Sequence, residues 1–300
     1  IDANQDGFLN PQEIADVTVI DVKEKEISDL TGIGFFTALT ELKCNSNSLT
    51  ALDVSDNTAL TVLWCNNNSL SSLNVSNNKA LTKLYCYSNS LTSLDVSNNK
   101  ALKMLYCHSN SLGSLYVSNN TALTILECSH NSLISLDVSK NTELTNLYCN
   151  NNSLTSLDVS NNTELTVLYC FGNAIRGASM TALVYSLPET PETEDARKLY
   201  VCSDETPAGN FITVKQVEKA EGKGWIVMEW DGSDWVPYAG EILDGDANGN
   251  GVVDQQDVED VQNYILTGVA PEGVDTTLYD VNGDYAINAA DIVYIINAMP

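Results

Sequence analysis

Three stretches of the chain space oxygen-bearing side chains as a hard divalent cation requires. In the first, Asp2, Asn4, Asp6, Asn10 and Glu13 stand at positions 1, 3, 5, 9 and 12 of a twelve-residue turn, with Gly7 at position 6 and the Phe8 carbonyl at position 7. In the second, the same places hold Asp246, Asn248, Asn250, Asp254 and Asp257, with Gly251 and the Val252 carbonyl. In the third they hold Asp280, Asn282, Asp284, Asn288 and Asp291, with Tyr285 at position 6 and the Ala286 carbonyl at position 7. Carboxylates, carboxamides and carbonyls in this order wrap Ca2+, and the glycine permits the sharp bend. A residue with a Cβ at that bend costs roughly 1–2 kcal/mol, so the Tyr285 loop is expected to bind most weakly.

Little else is equipped for bond-making chemistry. The histidines are His108 and His130 alone. His108 and Glu127 are the nearest approach to an acid–base pair, but no nucleophile or second carboxylate accompanies them, so they read as a polar break in a binding surface. No catalytic residue is assigned and no enzyme is expected. With 14 basic and 40 acidic residues the net charge is −26, which excludes a partner built of phosphates such as nucleic acid. A hydrophobic share of 43% marks a folded chain despite that acidity. No apolar run reaches the roughly 18 residues of a membrane span. The chain begins at Ile1 rather than Met, so the natural start, with any signal segment, is expected upstream.

The elements that position these residues are announced by the cysteines. Cys44, Cys65, Cys86, Cys107, Cys128, Cys149 and Cys170 recur every 21 residues, as do Asn47 through Asn173. A fixed period is the mark of a solenoid, in which no coil buries its own core and stacking does so. The unit reads L-T-x-L-x-C-x-x-N-S-L-T-S-L-D-V-S-x-N-T-x, with six full copies from Leu39 to Glu164 and a seventh that fades after Asn173. Leu42 and Cys44, two apart in a strand, point inward together. The Asn47 column can bond backbone where each coil turns, and the Asp53 column can cap the following N–H groups. Identical stacked positions have no pairing logic for disulfides, and no C-x-x-C occurs, so the cysteines read as small apolar fillers. Cys202 lies outside the ladder and reads as a partly exposed free thiol.

On the segment Leu39-Thr40-Glu41-Leu42-Lys43-Cys44-Asn45-Ser46-Asn47-Ser48-Leu49 and its repeats, the array resembles the short, bacterial, internalin-like leucine-rich repeats. The resemblance implies an α/β solenoid: a right-handed leucine-rich repeat with 21-residue coils and a parallel concave sheet. The first cation loop resembles that of an EF-hand without its preceding helix. The second and third, offset by 34 residues, with Asp at position 12 and apolar helical segments (Val258, Val261, Ile265; Ile292, Ile295, Ile296) behind them, resemble a type I dockerin. That likeness implies a small all-α calcium-binding domain and a cohesin-type scaffold as a partner. The positions that select the cohesin in the family are Gln255, Gln256, Ala289 and Ala290 here, not the Ser-Thr type. Docking of this module on its own chain is the alternative.

The expected organisation is a cap with an opening strand near Val17–Val22 over residues 1–38, the array over 39–173, a second cap over 174–240 and the dockerin-like module over 244–300. In the second cap, Met180, Leu183, Val184 and Leu187 predict a helix ending at Pro188; Thr213 to Gly222 predicts another, and Trp225–Trp230 a strand. On the concave face the outward column reads Lys43, Trp64, Tyr85, Tyr106, Glu127, Tyr148 and Tyr169, flanked by Tyr87, His108 and Phe171. An exposed stripe of rigid rings with polar tips suits an interface. The reading is an extracellular, non-catalytic recognition or adhesion protein, secreted by or displayed on a bacterium, with a protein or glycan ligand on that face. An accessory subunit of a carbohydrate-degrading complex and a structural spacer are the alternatives.

Overall fold

The computed structural model describes residues 9–189, 196–203, 209–241, 245–248, 252–270, 279, 281 and 286–299. The chain divides into two compact units, Ile1–Asn173 and Ala174–Pro300. Asp2, Asn4, Asp6, Phe8, Asn250, Asp280, Asn282 and Asp284 of the cation loops lie outside the described residues.

The first unit opens with helix α1 (Pro11–Ala15), strand β1 (Val19–Asp21) and a 3-10 turn (Ile33–Phe35). Seven three-residue strands follow: β2 (Glu41–Lys43), β3 (Val62–Trp64), β4 (Lys83–Tyr85), β5 (Met104–Tyr106), β6 (Ile125–Glu127), β7 (Asn146–Tyr148) and β8 (Val167–Tyr169). All pair in parallel, and each central leucine lies opposite the next. The unit is a solenoid of about seven turns.

The core is a set of columns rather than a cluster. Leu39, Leu42, Cys44 and Leu49, with their equivalents through Leu165, Leu168, Cys170 and Ile175, are 0% exposed. Each buried leucine contributes about 1.5–3 kcal/mol, but only because neighbouring coils close over it. All eight cysteines are free thiols, as the spacing predicts, and seven are buried. Burial pushes the Cys86 thiol up to about 12 and holds Cys65, Cys107, Cys128 and Cys149 well above the usual range. A thiol kept from ionising is neither nucleophile nor metal ligand.

Two asparagine ladders join the coils. In the predicted one, Asn68 Nδ2 donates to the carbonyls of Cys44 and Cys65, both at 3.0 Å, while its Oδ1 accepts from Leu49 N at 3.0 Å. The second was not anticipated: Asn57, Asn78, Asn99, Asn120, Asn141 and Asn162 are fully buried. Asn78 Nδ2, for example, donates to the carbonyls of Val54 and Asn57, both at 2.9 Å. The Asp53 column caps as expected, with Asp53 Oδ1 accepting from Ser55 N at 3.0 Å.

After each strand the chain turns through a left-handed residue: Ser46, Asn67, Ser88, Ser109, His130 and Asn151, with φ from 50° to 55°, then Gly172 at 63°. Only the last coil uses the residue type that adopts this conformation without strain. It is also the place where a side chain would collide, since a Cβ on Gly172 would stand 2.0 Å from Asn151 Oδ1.

The second unit contains α2 (Gly177–Ser186), β9 (Arg197–Ser203), α3 (Val214–Glu221), β10 (Trp225–Trp230) and β11 (Trp235–Pro237). β10 pairs in parallel with β9 and antiparallel with β11. Thr213 and Gln216 form the capping box of α3 and Gly222 ends it, as the sequence predicts. Cys202 is half-buried, and burial pushes its thiol up to about 12 as well.

Helices α4 (Gln255–Thr267) and α5 (Ala289–Ala298) follow. They enclose a small core of Ala247, Val258, Val261, Tyr279 and Ile295. Ile265 and Ile296 depart from the apolar pattern expected of them, being 40% and 52% exposed. Tyr264, edge-on to Tyr279, and Ile295 take the core-facing places, and the next residue on a helix points about 100° away. Among the described residues no helix is long and apolar enough to cross a membrane.

Replacing Ser109 by Gly is expected to raise stability by about 0.5–1 kcal/mol, the left-handed strain relieved less the added chain entropy. Gly172→Ala should lower it by more than about 1 kcal/mol. Urea titration of both variants checks the pair; equal effects of one sign would contradict the strain assignment.

Candidate functional site

The three-residue strands fix what the sheet face presents. With Leu42 and its equivalents inward, positions 41, 43 and 45 of each coil face the other way. The middle column carries Lys43, Trp64, Tyr85, Tyr106, Glu127, Tyr148 and Tyr169. These side chains are half-buried, not fully exposed as the alternation alone suggests. Parallel strands stand about 4.8 Å apart, within the roughly 4.5–7 Å centroid separation at which offset aromatic rings pair, so like residues in register stack. Ring centroids are 4.6 Å apart for Trp64–Tyr85, 4.8 Å for Tyr85–Tyr106 and 5.0 Å for Tyr148–Tyr169. Tyr85 and Tyr106 are tilted by only 13°.

The flanking column surfaces at Tyr87, His108 and Phe171, where Tyr87 stacks on His108 at 4.3 Å and Phe171 meets Tyr169 edge-on at 6.2 Å. Asn45, Asn66, Ser129 and Asn150 of that column are buried. The other flanking column escaped the sequence reading. Val62, Met104, Ile125 and Val167 are half-buried there and widen the ring stripe with apolar surface at four coils, interrupted by Lys83 and Asn146. The Tyr85 hydroxyl lies 3.9 Å from Met104 Sδ. Their signal was the same two-residue alternation, applied one step before the leucine.

The stripe changes character at two coils. At one end Lys43 Nζ sits 2.7 Å from Glu41 Oε1 and 5.8 Å from the Trp64 ring centre, a cation held between a carboxylate and a ring. In the middle Glu127 replaces a ring. Its Oε1 accepts from Ser129 Oγ at 2.8 Å and lies 3.7 Å from His108 Nδ1. Burial lowers the His108 pKa, with Glu127 raising it and His130 lowering it, which favours the uncharged imidazole. The separation exceeds a hydrogen bond. The structure therefore brings His108 and Glu127 together without the geometry of proton transfer.

The three candidate cation loops share one local device. Asn10, Asp254 and Asn288, each at position 9, are the N-caps of α1, α4 and α5. The position-12 carboxylates close the capping boxes: Glu13 Oε2 accepts from Asn10 N at 3.0 Å, Asp257 Oδ2 from Asp254 N at 2.8 Å and Asp291 Oδ2 from Asn288 N at 2.8 Å. Asp257 and Asp291 are 0% exposed and Asp246 is 5% exposed. Asp257 Oδ1 also accepts from Asn248 N at 3.1 Å. Burial first, then the charges of Asp246 and Asp254, push the Asp257 carboxyl up to about 6, against two backbone N–H bonds that lower it. A buried carboxylate facing two others is the electrostatic condition that a divalent cation relieves, and the donors are all oxygen. Among the described residues no three His, Cys, Asp or Glu side chains gather closely enough to hold a metal by themselves. Gln255, Gln256, Ala289 and Ala290 are all exposed at the helix starts.

The repeat geometry gives the first unit the fold of a leucine-rich repeat solenoid. Residues 244–299 match the family model for the dockerin type I domain, a calcium-binding module. A stretch of 50 residues, 17% of this chain and 6% of the relative, is 44% identical to Internalin J of Listeria monocytogenes serotype 4b. The structure is similar to that of the functional domain of InlJ from Listeria monocytogenes, which includes a cysteine ladder. That likeness has a TM-score of 0.63 and 29% identity, and covers 79% of this chain and 48% of that one. A leucine-rich repeat protein of Leptospira interrogans, at TM-score 0.54 and 21% identity over 73% of this chain and 68% of that one, shares the fold. The chain thus spans about half of the InlJ domain and a small part of Internalin J. Internalins and dockerin domains are typically extracellular or surface-attached.

Proposed function

We propose that the chain is an extracellular, non-catalytic bacterial recognition protein whose strand face holds a protein ligand and whose dockerin domain attaches it to a cohesin-type partner. The observation that carries this reading is the row of rings Trp64, Tyr85, Tyr106, Tyr148 and Tyr169, in contact within Trp64–Tyr85–Tyr106 and within Tyr148–Tyr169, beside the half-buried Val62, Met104, Ile125 and Val167. Protein interfaces concentrate their affinity on such rings. The stacking also favours protein over glycan. A sugar binds an aromatic by lying on its face, but Tyr85 and Tyr106 cover one face of each other, as do Tyr148 and Tyr169, so the row presents mainly edges and hydroxyls outward, with open ring faces at the Glu127 coil. The organisation into a cap (1–38), array (39–173), second cap (174–240) and dockerin module (244–300) follows the same reading.

In that reading Asp246, Asn248, Asn250, Val252, Asp254 and Asp257 hold one Ca2+. Asp280, Asn282, Asp284, Ala286, Asn288 and Asp291 hold a second, and Asp2, Asn4, Asp6, Phe8, Asn10 and Glu13 a third. Gln255, Gln256, Ala289 and Ala290 form the cohesin contact.

Two expected outcomes follow from these assignments. Calcium bound by the folded state alone stabilises it by about 2.7 kcal/mol at a hundred times Kd. Scanning calorimetry in 1 mM-range calcium (about that of extracellular sites) against excess chelator should therefore show a melting transition shifted upward by the metal; superimposed traces would contradict the ligand assignment.

For the strand face, the immobilised chain is offered to a random-peptide display library and to a glycan array. Selection of peptides by the native chain, lost in the Tyr85→Ala/Tyr106→Ala variant at about 2 kcal/mol or more per ring, is the expected result, with little change in Tm. Glycan binding alone, or peptide binding indifferent to the rings, would defeat the reading.

A further inference from the structure

The ring column is interrupted once, and the interruption has a definite chemistry. Tyr106 is covered on one face by Tyr85, and Tyr148 on one face by Tyr169. Their other faces look toward the coil of Glu127, where no ring stands. They stand two coil steps apart, about 9–10 Å at the spacing of parallel strands. A flat group in contact on both sides needs about 3.5 Å to each ring, roughly 7 Å in all, so one planar group fits in the gap, but not two, and the tyrosines lean inward to close on it.

The floor of this gap is anionic. Glu127 Oε1 is engaged by Ser129 Oγ, and Oε2 makes no hydrogen bond among the described residues. No lysine or arginine among them pairs with Glu127; the ion-pair distance it does show is to His108 Nδ1, 3.7 Å away and beyond hydrogen-bond reach. Elsewhere on the same face the chain supplies its own cation to the same combination, Lys43 lying between the Glu41 carboxylate and the Trp64 ring. At Glu127 that cation is missing, in a molecule of net charge −26.

We propose that the gap between Tyr106 and Tyr148 receives an arginine side chain of the protein ligand, its guanidinium lying between the two ring faces and bonded to Glu127. Arginine fits better than lysine because its planar, weakly hydrated head stacks on aromatic faces while its N–H fork meets a carboxylate. The inference rests on the strand face being the ligand-binding face, and narrows it to one anchor and the charge it carries.

Peptides selected on the full-length chain from a random display library provide the test. A recurrent arginine is expected among them. Replacing that arginine by citrulline, the same shape without the charge, should weaken binding at least tenfold, and Glu127→Gln should weaken the arginine peptide to a similar degree while leaving the citrulline peptide unchanged. The citrulline arm uses the unaltered protein, so it does not depend on a variant folding. Peptides that bind through Tyr85 and Tyr106 but carry no arginine, or a lysine instead, and that ignore Glu127→Gln, would overturn the anchor and leave the strand-face reading intact. A library that yields no binding peptide would overturn both.

Discussion

A coil of 21 residues cannot satisfy its own backbone, and the rest of the array depends on how that is remedied. Each coil leaves its strand through a left-handed residue, which directs carbonyls and amides into the space between coils. One asparagine carboxamide per coil gathers them: Asn68 takes the carbonyls of Cys44 and Cys65 and supplies an acceptor to Leu49 N. An unmet backbone group buried here would cost about 1–3 kcal/mol. The bond reaches the preceding coil, so the remedy for one coil also fixes the distance and register of the next. The cysteine column follows from that spacing, since a small apolar side chain fills the inner column and its burial keeps the thiol protonated.

Because inward columns carry the register, outward positions are free to change. All seven coils keep the Leu42, Cys44 and Asn47 places while their outward residue runs through Lys, Trp, Tyr and Glu. Stacking at the coil spacing then makes the rings a rigid row that has little conformational entropy left to lose on binding. A polar substitution in that row, Glu127, leaves the row on both sides intact and opens a gap with a charge at its base.

Much of the fold was legible because periodicity and side-chain direction are backbone properties. The cysteine period located every strand of the array, Thr213 and Gly222 bracketed α3, and the ladder role of Asn47 and its equivalents followed from a carboxamide's ability to donate and accept. What escaped depended on packing between coils. The Asn57 column reads locally as a turn residue, and only stacking buries it completely. The half-burial of Trp64 and Tyr85 comes from the neighbouring ring, which alternation within one strand does not encode. Met104 and Ile125 were passed over because each stands just outside the repeated leucine and cysteine pair. In the dockerin domain, Ile265 and Ile296 share their helices' apolar composition but not the core-facing direction.

The central claim is that the ring row is mounted on a core that does not need it. Hydrogen exchange of a variant with Trp64, Tyr85, Tyr106, Tyr148 and Tyr169 all changed to Thr tests this directly. Retained protection of the strand and ladder amides, such as those of Cys86, Leu91 and Cys107, is the predicted result. Collapse of that protection across the array would show that the rings hold the solenoid together, and would contradict their assignment as an interface.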